Sequence, residues 1–309
     1  MASPRLPSAS AHLPFFLAGP TAVGKSGIAL ALAEQIGGEI ISVDSMQVYR
    51  GLDIGTAKPT VAESKKIPHH LIDVCNLSEA FDAAQFIRLA QKAVEEIQFR
   101  RHTPIFCGGT GLYFKAFLDG LGEAPPADET IRAELEAAPF EALLAELRAR
   151  DPVAYEKIDK KNPRRVIRAV EVIRLTGKKF SDQRAEWKGQ NQKPKTKKYF
   201  CFTRSAEDLH RRINVRVDEM FARGLVDETR GLLQDGLAEN KFALQAIGYR
   251  QVVEHLRGER DLAATIELVK IRTRQFAKRQ LTWFRRHGNC DWVELRPDEG
   301  IKETVARIA

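Results

Sequence analysis

Residues 19–26 read Gly19-Pro20-Thr21-Ala22-Val23-Gly24-Lys25-Ser26, the G-x-x-x-x-G-K-S spacing of a phosphate loop. The apolar run Phe15–Ala18 precedes it, and Ile28, Leu30, Ala31, Leu32 and Ala33 follow at helical spacing to about Ile36. That strand–loop–helix setting gives the motif its meaning. Glycines let successive backbone N–H groups turn inward around phosphate oxygens, and the following helix adds its positive end. Lys25 supplies a full charge, and the Ser26 hydroxyl is a donor for Mg2+. The motif specifies a phosphate-bearing ligand and leaves open whether that ligand is a nucleotide.

Strand and helix alternate on either side of the loop. Glu39–Val43 reads as a second strand ending at Asp44, and Phe81–Gln98 repeats Phe86, Ala90, Val94 and Ile97 at helical spacing. Pro104–Cys107 is a short apolar strand stopped by Gly108-Gly109. This rhythm predicts an α/β fold, a phosphate-loop core of parallel sheet flanked by helices. Ligands of such sheets gather at the carboxyl ends of the strands, so Gly19–Ser26, Asp44 and Gly108–Gly111 are expected to converge. The pattern breaks at Gly120–Asp128, around Pro125-Pro126. Helical spacing then covers Ile131–Ala138, Phe140–Arg150, Val153–Ile158 and Pro163–Thr176. A basic linker, Lys188–Lys198, leads to a strand at Tyr199–Phe202 and to helices at Ala206–Arg223, Val226–Leu233, Leu244–Leu256 and Leu262–Arg286. The expected organisation is a disordered start at 1–14, a catalytic core of 15–122 with 199–309, and an inserted all-helical basic domain at 123–198.

The 309 residues, 43% hydrophobic, suffice for two domains, and no stretch approaches membrane-span length. The Ser/Pro/Ala-rich start lacks the apolar centre of a secretory signal. Cys75, Cys107, Cys201 and Cys290 lie far apart without a C-x-x-C pair, which argues against a zinc site or a disulfide framework and for a reduced, cytoplasmic setting. The net charge is +8. Residues 160–198 alone carry fourteen Lys/Arg against Glu171, Asp182 and Glu186, a balance of +11. A polyanion such as nucleic acid is the partner that such a segment fits.

Several residues are candidates for chemistry. Asp44, at a strand end facing the phosphate loop, is placed to hold Mg2+ or to take a proton as a general base. Cys107 stands where many nucleotide hydrolases put an acid, which weakens an ATPase reading. Gly108-Gly109-Thr110 suits close approach to a ligand. His69-His70 reads as a packing or hydrogen-bonding pair. In the helix at 266–286, Lys270, Arg274 and Lys278 form one cationic stripe, and Arg272, Arg279 and Arg286 another. Either can meet phosphates or solvent.

Taken together, these segments resemble the bacterial tRNA dimethylallyltransferase (tRNA isopentenyltransferase) family. Beside the phosphate loop, the resemblance rests on Ile41-Ser42-Val43-Asp44-Ser45-Met46-Gln47-Val48-Tyr49, Asp53-Ile54-Gly55-Thr56-Ala57-Lys58-Pro59, Pro68-His69-His70-Leu71 and Gly108-Gly109-Thr110-Gly111-Leu112-Tyr113. It continues through Arg164-Arg165-Val166-Ile167-Arg168-Ala169, Ala246-Ile247-Gly248-Tyr249-Arg250 and Thr273-Arg274-Gln275-Phe276-Ala277-Lys278-Arg279-Gln280. The matches run in family order from about Phe15 to Trp292.

The resemblance implies transfer of a dimethylallyl group from dimethylallyl diphosphate to N6 of the adenosine 3′-adjacent to a tRNA anticodon. It implies that Asp44 is the general base and that Thr21 and Arg216 stabilise charge on the leaving diphosphate. Gly19, Pro20, Thr21, Ala22, Val23, Gly24, Lys25 and Ser26 would hold the diphosphate, with Mg2+ on Ser26. The positions matching the family's tRNA contacts are Asp44, Ser45, Met46, Gln47, Thr110, Arg132, Arg164, Arg165, Val166, Ile167, Arg168, Gln245, Ala246, Ile247, Gly248, Tyr249 and Arg250. The helical insertion would grip the anticodon stem-loop, and the family implies a monomer. Where members often read Asn-Asp-Pro-Gln-Arg, this chain has Lys161-Asn162-Pro163-Arg164-Arg165, which would exchange a base contact at 164 for a phosphate contact. Neighbouring alternatives are an adenylate isopentenyltransferase, a phosphate-loop kinase or NTPase, and a non-catalytic RNA-binding protein.

Overall fold

The strands that carry the phosphate loop and Asp44 are mostly apolar, as parallel strands covered on both faces are, with Glu39 and Ser42 the polar residues of the second. In the computed structural model, which describes residues 13–121, 125–185 and 198–309, these are β1 (Phe15–Ala18) and β2 (Gly38–Val43), buried throughout. With β3 (His69–His70), β4 (Thr103–Gly108), β5 (Lys198–Thr203) and β6 (Asp291–Glu294) they form a single six-stranded sheet in the order β3-β2-β4-β1-β5-β6. Every neighbouring pair is parallel. The α/β fold predicted from the sequence is the one observed.

Register sets the site. Ala18 pairs with Gly108, and Gly108 with Val43, so β1, β2 and β4 end level with one another. Gly19, Asp44 and Gly109 are therefore the first residues past one edge of the sheet, the edge at which α/β proteins bind ligands.

Fourteen helices occur among the described residues. They are α1 (Lys25–Ile36), α2 (Val61–Lys66), α3 (Ala83–Phe99), α4 (Gly111–Asp119), α5 (Glu129–Ala137), α6 (Phe140–Arg150), α7 (Pro152–Lys157), α8 (Pro163–Thr176), α9 (Phe180–Ala185), α10 (Ala206–Ala222), α11 (Leu225–Gln234), α12 (Tyr249–Leu256), α13 (Leu262–His287) and α14 (Ile301–Ile308). The chain divides into two compact units, residues 1–115 with 194–309 and residues 116–193. In the first, Leu17, Ile28, Leu32, Phe202, Ile213 and Val269 join sheet and helices in one apolar cluster. A second cluster packs Tyr49 and Leu52 against Leu225, Tyr249 and Val252 of α11 and α12. The other unit has its own core of Leu135, Leu143, Leu147, Val166, Val170 and Ile173. Its helix α8 starts at Pro163 behind the Asn162 cap and stops at Gly177 in the left-handed conformation, start and stop signals both visible in sequence.

One predicted helix is corrected. Leu244–Leu256 is a short 3-10 turn, Ala243–Gln245, then a break, then α12. Ala246 adopts ψ 126° and Gly248 φ 101°, neither of which continues a helical ladder. Sequence periodicity also passes over β3 and β6, which are too short to show a pattern. The disordered start at 1–14 concerns residues that, but for the last two, lie outside the described ones. So does most of the 188–198 linker.

Candidate active site

One cavity of about 350 Å³ opens at the carboxyl edge of the sheet, within the first unit. Thr21, Lys25 and Ser26 of the phosphate loop line it, with Asp44, Gly108, Gly109 and Arg216 of α10. The residues expected from sequence as diphosphate site, base and charge stabiliser thus share one space. Asp44 is half-buried there. Its Oδ1 accepts the backbone N–H of Met46 at 2.8 Å and of Gln47 at 3.3 Å, which fixes the carboxylate on its own turn. Ser45 N–H donates to Thr110 Oγ1 at 3.2 Å, tying the β2 and β4 loops together.

Burial dominates the electrostatics. It raises the Asp44 carboxyl above its ordinary range, against the pull of the two backbone N–H groups and the nearby Lys25 charge. It lowers Lys25 to about 8, with Arg216 adding like-charge repulsion and Asp44 opposing it. Lys25 Nζ meanwhile donates to Pro20 O at 2.6 Å, a bond within its own loop. Arg216 is desolvated, which lowers its affinity for its proton. Among the described residues it has no hydrogen bond and no ion pair. The Cys107 thiol, also in the cavity wall, is pushed up to about 11 by burial and stays protonated. It supplies neither an acid nor a thiolate.

Several residues around the cavity have no role assigned from the sequence, although some lie in segments that carry the family resemblance. Gln280 of α13 accepts Thr21 N–H on Oε1 and donates through Nε2 to Gly109 O. A side chain at 109 would lie 2.1 Å from that Nε2, so only glycine admits the glutamine. Arg212 donates to Ala22 O at 2.9 Å and Arg204 to Val23 O at 2.7 Å, bracing the outside of the phosphate loop. Ile54, Thr56, Ala57, Lys58 and Pro59 form a further wall, and Phe276 closes part of the cavity. The first cationic stripe of α13 is largely spent on α10, where Lys270 pairs with Asp218 and Arg274 donates to Asn214. Arg272 and Arg279 of the second stripe line a groove of about 450 Å³ with Gln245, Arg250 and Arg260.

The positions matched to tRNA contacts separate by exposure. Arg164 and Arg165 at the start of α8 are exposed, as are Gln245 and Arg250. Val166, Ala246, Gly248 and Tyr249 are buried, and Ile167 packs on the core of the second unit. Val166 and Tyr249 therefore have no side-chain surface to offer a partner. Arg132 and Arg168 both pair with Glu171, which is 0% exposed, at 2.6 and 2.7 Å. Their guanidiniums are first of all the counter-charge of a buried carboxylate. Asp44, Ser45, Met46, Gln47 and Thr110 stand together beside the cavity, each partly accessible.

A parallel sheet whose first strand enters a glycine-rich loop, with a carboxylate and a desolvated arginine lining the same cavity, places the chain among α/β enzymes. The chain belongs to the IPP transferase family, whose model matches residues 47–287. It is 48% identical to tRNA dimethylallyltransferase 1 of Trichlorobacter lovleyi over 90% of this chain and 92% of that protein. Over 94% and 95% of the two chains it is 40% identical to the tRNA dimethylallyltransferase of Thermotoga neapolitana. Among solved structures, the full-length tRNA isopentenylpyrophosphate transferase of Bacillus halodurans covers 96% of this chain, and 95% of its own length is matched, at 40% identity and a TM-score of 0.69. A eukaryotic dimethylallyltransferase acting on tRNA gives a TM-score of 0.76 at 29% identity, over 91% of this chain and 73% of that one.

Proposed function

We propose that this chain transfers the dimethylallyl group of dimethylallyl diphosphate to N6 of the adenosine 3′-adjacent to the anticodon in tRNA, releasing diphosphate. Arg216 carries the reading: a desolvated cation, unpaired among the described residues, that shares one cavity with Lys25 and Asp44. Such a cation is costly until an anion completes it, and the Bacillus halodurans relative is an isopentenylpyrophosphate transferase. In the reaction the bond from the allylic carbon to the bridging oxygen breaks as the carbon–N6 bond forms. The electron pair leaves with diphosphate, and the N6 proton passes to Asp44. The N6 lone pair is delocalised into the ring, so proton removal and close alignment both help. Thr21 and Arg216 stabilise the charge that grows on the leaving oxygen, while Lys25 and the amides of Gly19–Ser26 hold the phosphates.

The residues fit Mg2+. The Ser26 hydroxyl is exposed, lines the cavity and has no hydrogen bond among the described residues. No cluster of three His, Cys, Asp or Glu suited to a metal occurs among them. A single hydroxyl oxygen beside substrate phosphates is the kind of site Mg2+ takes. Bound there, the ion neutralises diphosphate charge.

We read residues 15–122 with 199–309 as the catalytic core and 123–198 as the tRNA-binding insertion. Exposed Arg164, Arg165 and Arg250, with the arginine groove on α13, supply cations for the anticodon stem-loop, and exposed Gln245 a neutral hydrogen-bonding group. The target adenosine leaves its stack to reach Asp44. No helix among the described residues is long and apolar enough to cross a membrane, and we read the protein as a cytoplasmic monomer. The test is incubation with labelled dimethylallyl diphosphate and either unmodified tRNA or free AMP. Label in tRNA is expected. Label only in AMP, or ATP turnover without prenyl transfer, overturns the proposal.

A further inference from the structure

We infer that Tyr249 and Glu228 form a latch that seats the loop at 53–59 as one wall of the reaction cavity and, through it, orients Gln47 beside Asp44. The inference rests on the prenyl transfer proposed above and assigns two positioning residues to it. Neither lines the cavity.

The loop holds itself in part: Thr56 Oγ1 donates to Leu52 O, and Lys58 Nζ donates to Tyr49 O and pairs with Asp53 and Asp73. Its internal backbone bonds are Ala57 N to Ile54 O and Lys58 N to Asp53 O, and Ala57 sits at φ 51°. The anchors of Ile54 and Gly55 come from α11 and α12. Ile54 N–H donates to the two oxygens of Glu228 at 3.0 and 2.9 Å. Gly55 N–H donates to the Tyr249 hydroxyl at 3.0 Å, and that hydroxyl donates to Glu228 Oε1 at 2.6 Å. The hydroxyl thus accepts from the loop and donates to the carboxylate, and both polar groups are used. The loop lies flat on the ring: a Cβ at Gly55 would be 2.4 Å from Tyr249 Cε2. Tyr249 is 0% exposed, and burial together with the Glu228 carboxylate pushes its phenol far up, so it keeps its proton.

The other side of the loop meets the site. Gln47 Nε2 donates to Thr56 O at 3.0 Å and to Ala57 O at 3.3 Å. Its Oε1 accepts the Ser42 hydroxyl at 2.8 Å, and its backbone N–H reaches Asp44 Oδ1. Released from Tyr249 and Glu228, the 54–57 backbone loses its seat, and the two carbonyls that orient Gln47 shift with it. Tyr249 also belongs to the 245–250 segment matched to tRNA contacts, yet it points inward while Arg250 beside it is exposed.

The test is Tyr249→Phe, which keeps the ring and removes the hydroxyl, with Glu228→Gln and the double variant. We expect Tyr249→Phe to lower kcat at least tenfold at saturating stem-loop RNA, with RNA Kd within twofold. We also expect the double variant to lose less than the product of the single losses. Hydrogen exchange at Ile54 and Gly55 should quicken in both single variants, a readout independent of catalysis. Unchanged exchange overturns the latch, whatever the activity. A lower Tm with unchanged kcat, or a weakened RNA Kd with unchanged kcat, overturns it in favour of a purely structural or a contacting role. If the wild type transfers no prenyl group, the proposed function fails, while the exchange result still decides whether the loop is seated this way.

Discussion

Thr21 and Gln280, 259 residues apart in sequence, are joined by a 2.9 Å hydrogen bond from the loop's backbone N–H to the side-chain carbonyl of α13. The same side chain donates to Gly109 O at 3.0 Å. One amide thereby sets the spacing of two loops that end neighbouring strands. Gln280→Leu leaves a backbone donor and a backbone acceptor without partners, a loss of about 1–3 kcal/mol for each group. We expect kcat/KM for dimethylallyl diphosphate to fall ten- to a hundredfold. Gln280→Glu keeps the acceptor for Thr21 but adds a negative charge near the phosphates, so its KM should rise more than that of the Leu variant. Steady-state kinetics on both variants check this ordering.

The pH profile follows from the two shifted groups that share the cavity. Asp44 must be ionised to act as base, and burial has raised its pKa. The acid limb of kcat/KM should therefore lie above the ordinary carboxylate range. Lys25 loses its charge as pH rises through about 8 in the free enzyme, which should set an alkaline limb there. Bound diphosphate favours the ammonium form, so the alkaline limb of kcat should lie higher. A kcat/KM profile flat from pH 7 to 9 would contradict the Lys25 assignment.

The raised Asp44 pKa also has a stability sign. Between the ordinary carboxylate value and the raised one, the folded state binds more protons than the unfolded, so stability falls as pH rises through that window. Asp44→Asn removes this effect. We expect it to raise Tm at pH 7 while lowering kcat by about 100- to 10,000-fold, the range for a lost general base.

The arginines of the second unit should divide into two classes. Arg165→Gln removes an exposed charge, and we expect weaker stem-loop binding, a salt slope reduced by about one and an unchanged Tm. Arg168→Gln instead takes one of two arginine partners from fully buried Glu171, which Arg132 still pairs, and we expect it to destabilise the fold by about 1–3 kcal/mol. Thermal melts and binding titrations at several salt concentrations separate the two.

A second buried carboxylate sets acid stability. Glu39 at the start of β2 is 1% exposed. Burial alone would raise its pKa, but hydrogen bonds from Arg100, His70 and His102 outweigh that and hold it at about 2. A depressed carboxyl stabilises the fold above its unfolded pKa and loses that contribution as pH falls from about 4.5 toward 2. Glu39→Gln should be destabilised at pH 7, with a gap from wild type that narrows below pH 4. Denaturant melts at pH 7 and pH 3 measure it.

The parts of the site that are contiguous in the chain are legible in the amino-acid sequence. The phosphate loop is eight successive residues, and Asp44 and Gly108-Gly109 each end an apolar strand. Parallel pairing in level register then brings them to one edge, so local pattern alone predicts their meeting. Residues that act through contacts at long range leave no local pattern. Glu228 looks in sequence like an ordinary helix position, Gln280 and Tyr249 stand in segments of the family resemblance that do not show the contacts they make here, and their partners lie 174, 259 and 194 residues away. The 53–59 loop is a motif without a visible role in the sequence, because the groups that seat it come from α11 and α12.

The sequence by itself thus determined the α/β class, because the spacing of glycines and apolar residues is dictated by backbone geometry over short stretches, and its motifs carried the resemblance to the family. Only the tertiary structure decided which of its charges are free to act. Arg165 and Arg168 are the same residue three positions apart, yet a helical turn exposes one and sets the other against the buried Glu171 carboxylate. Desolvation and pairing are properties of packing, and they separate Arg216, unpaired among the described residues, from the arginines that hold the fold together.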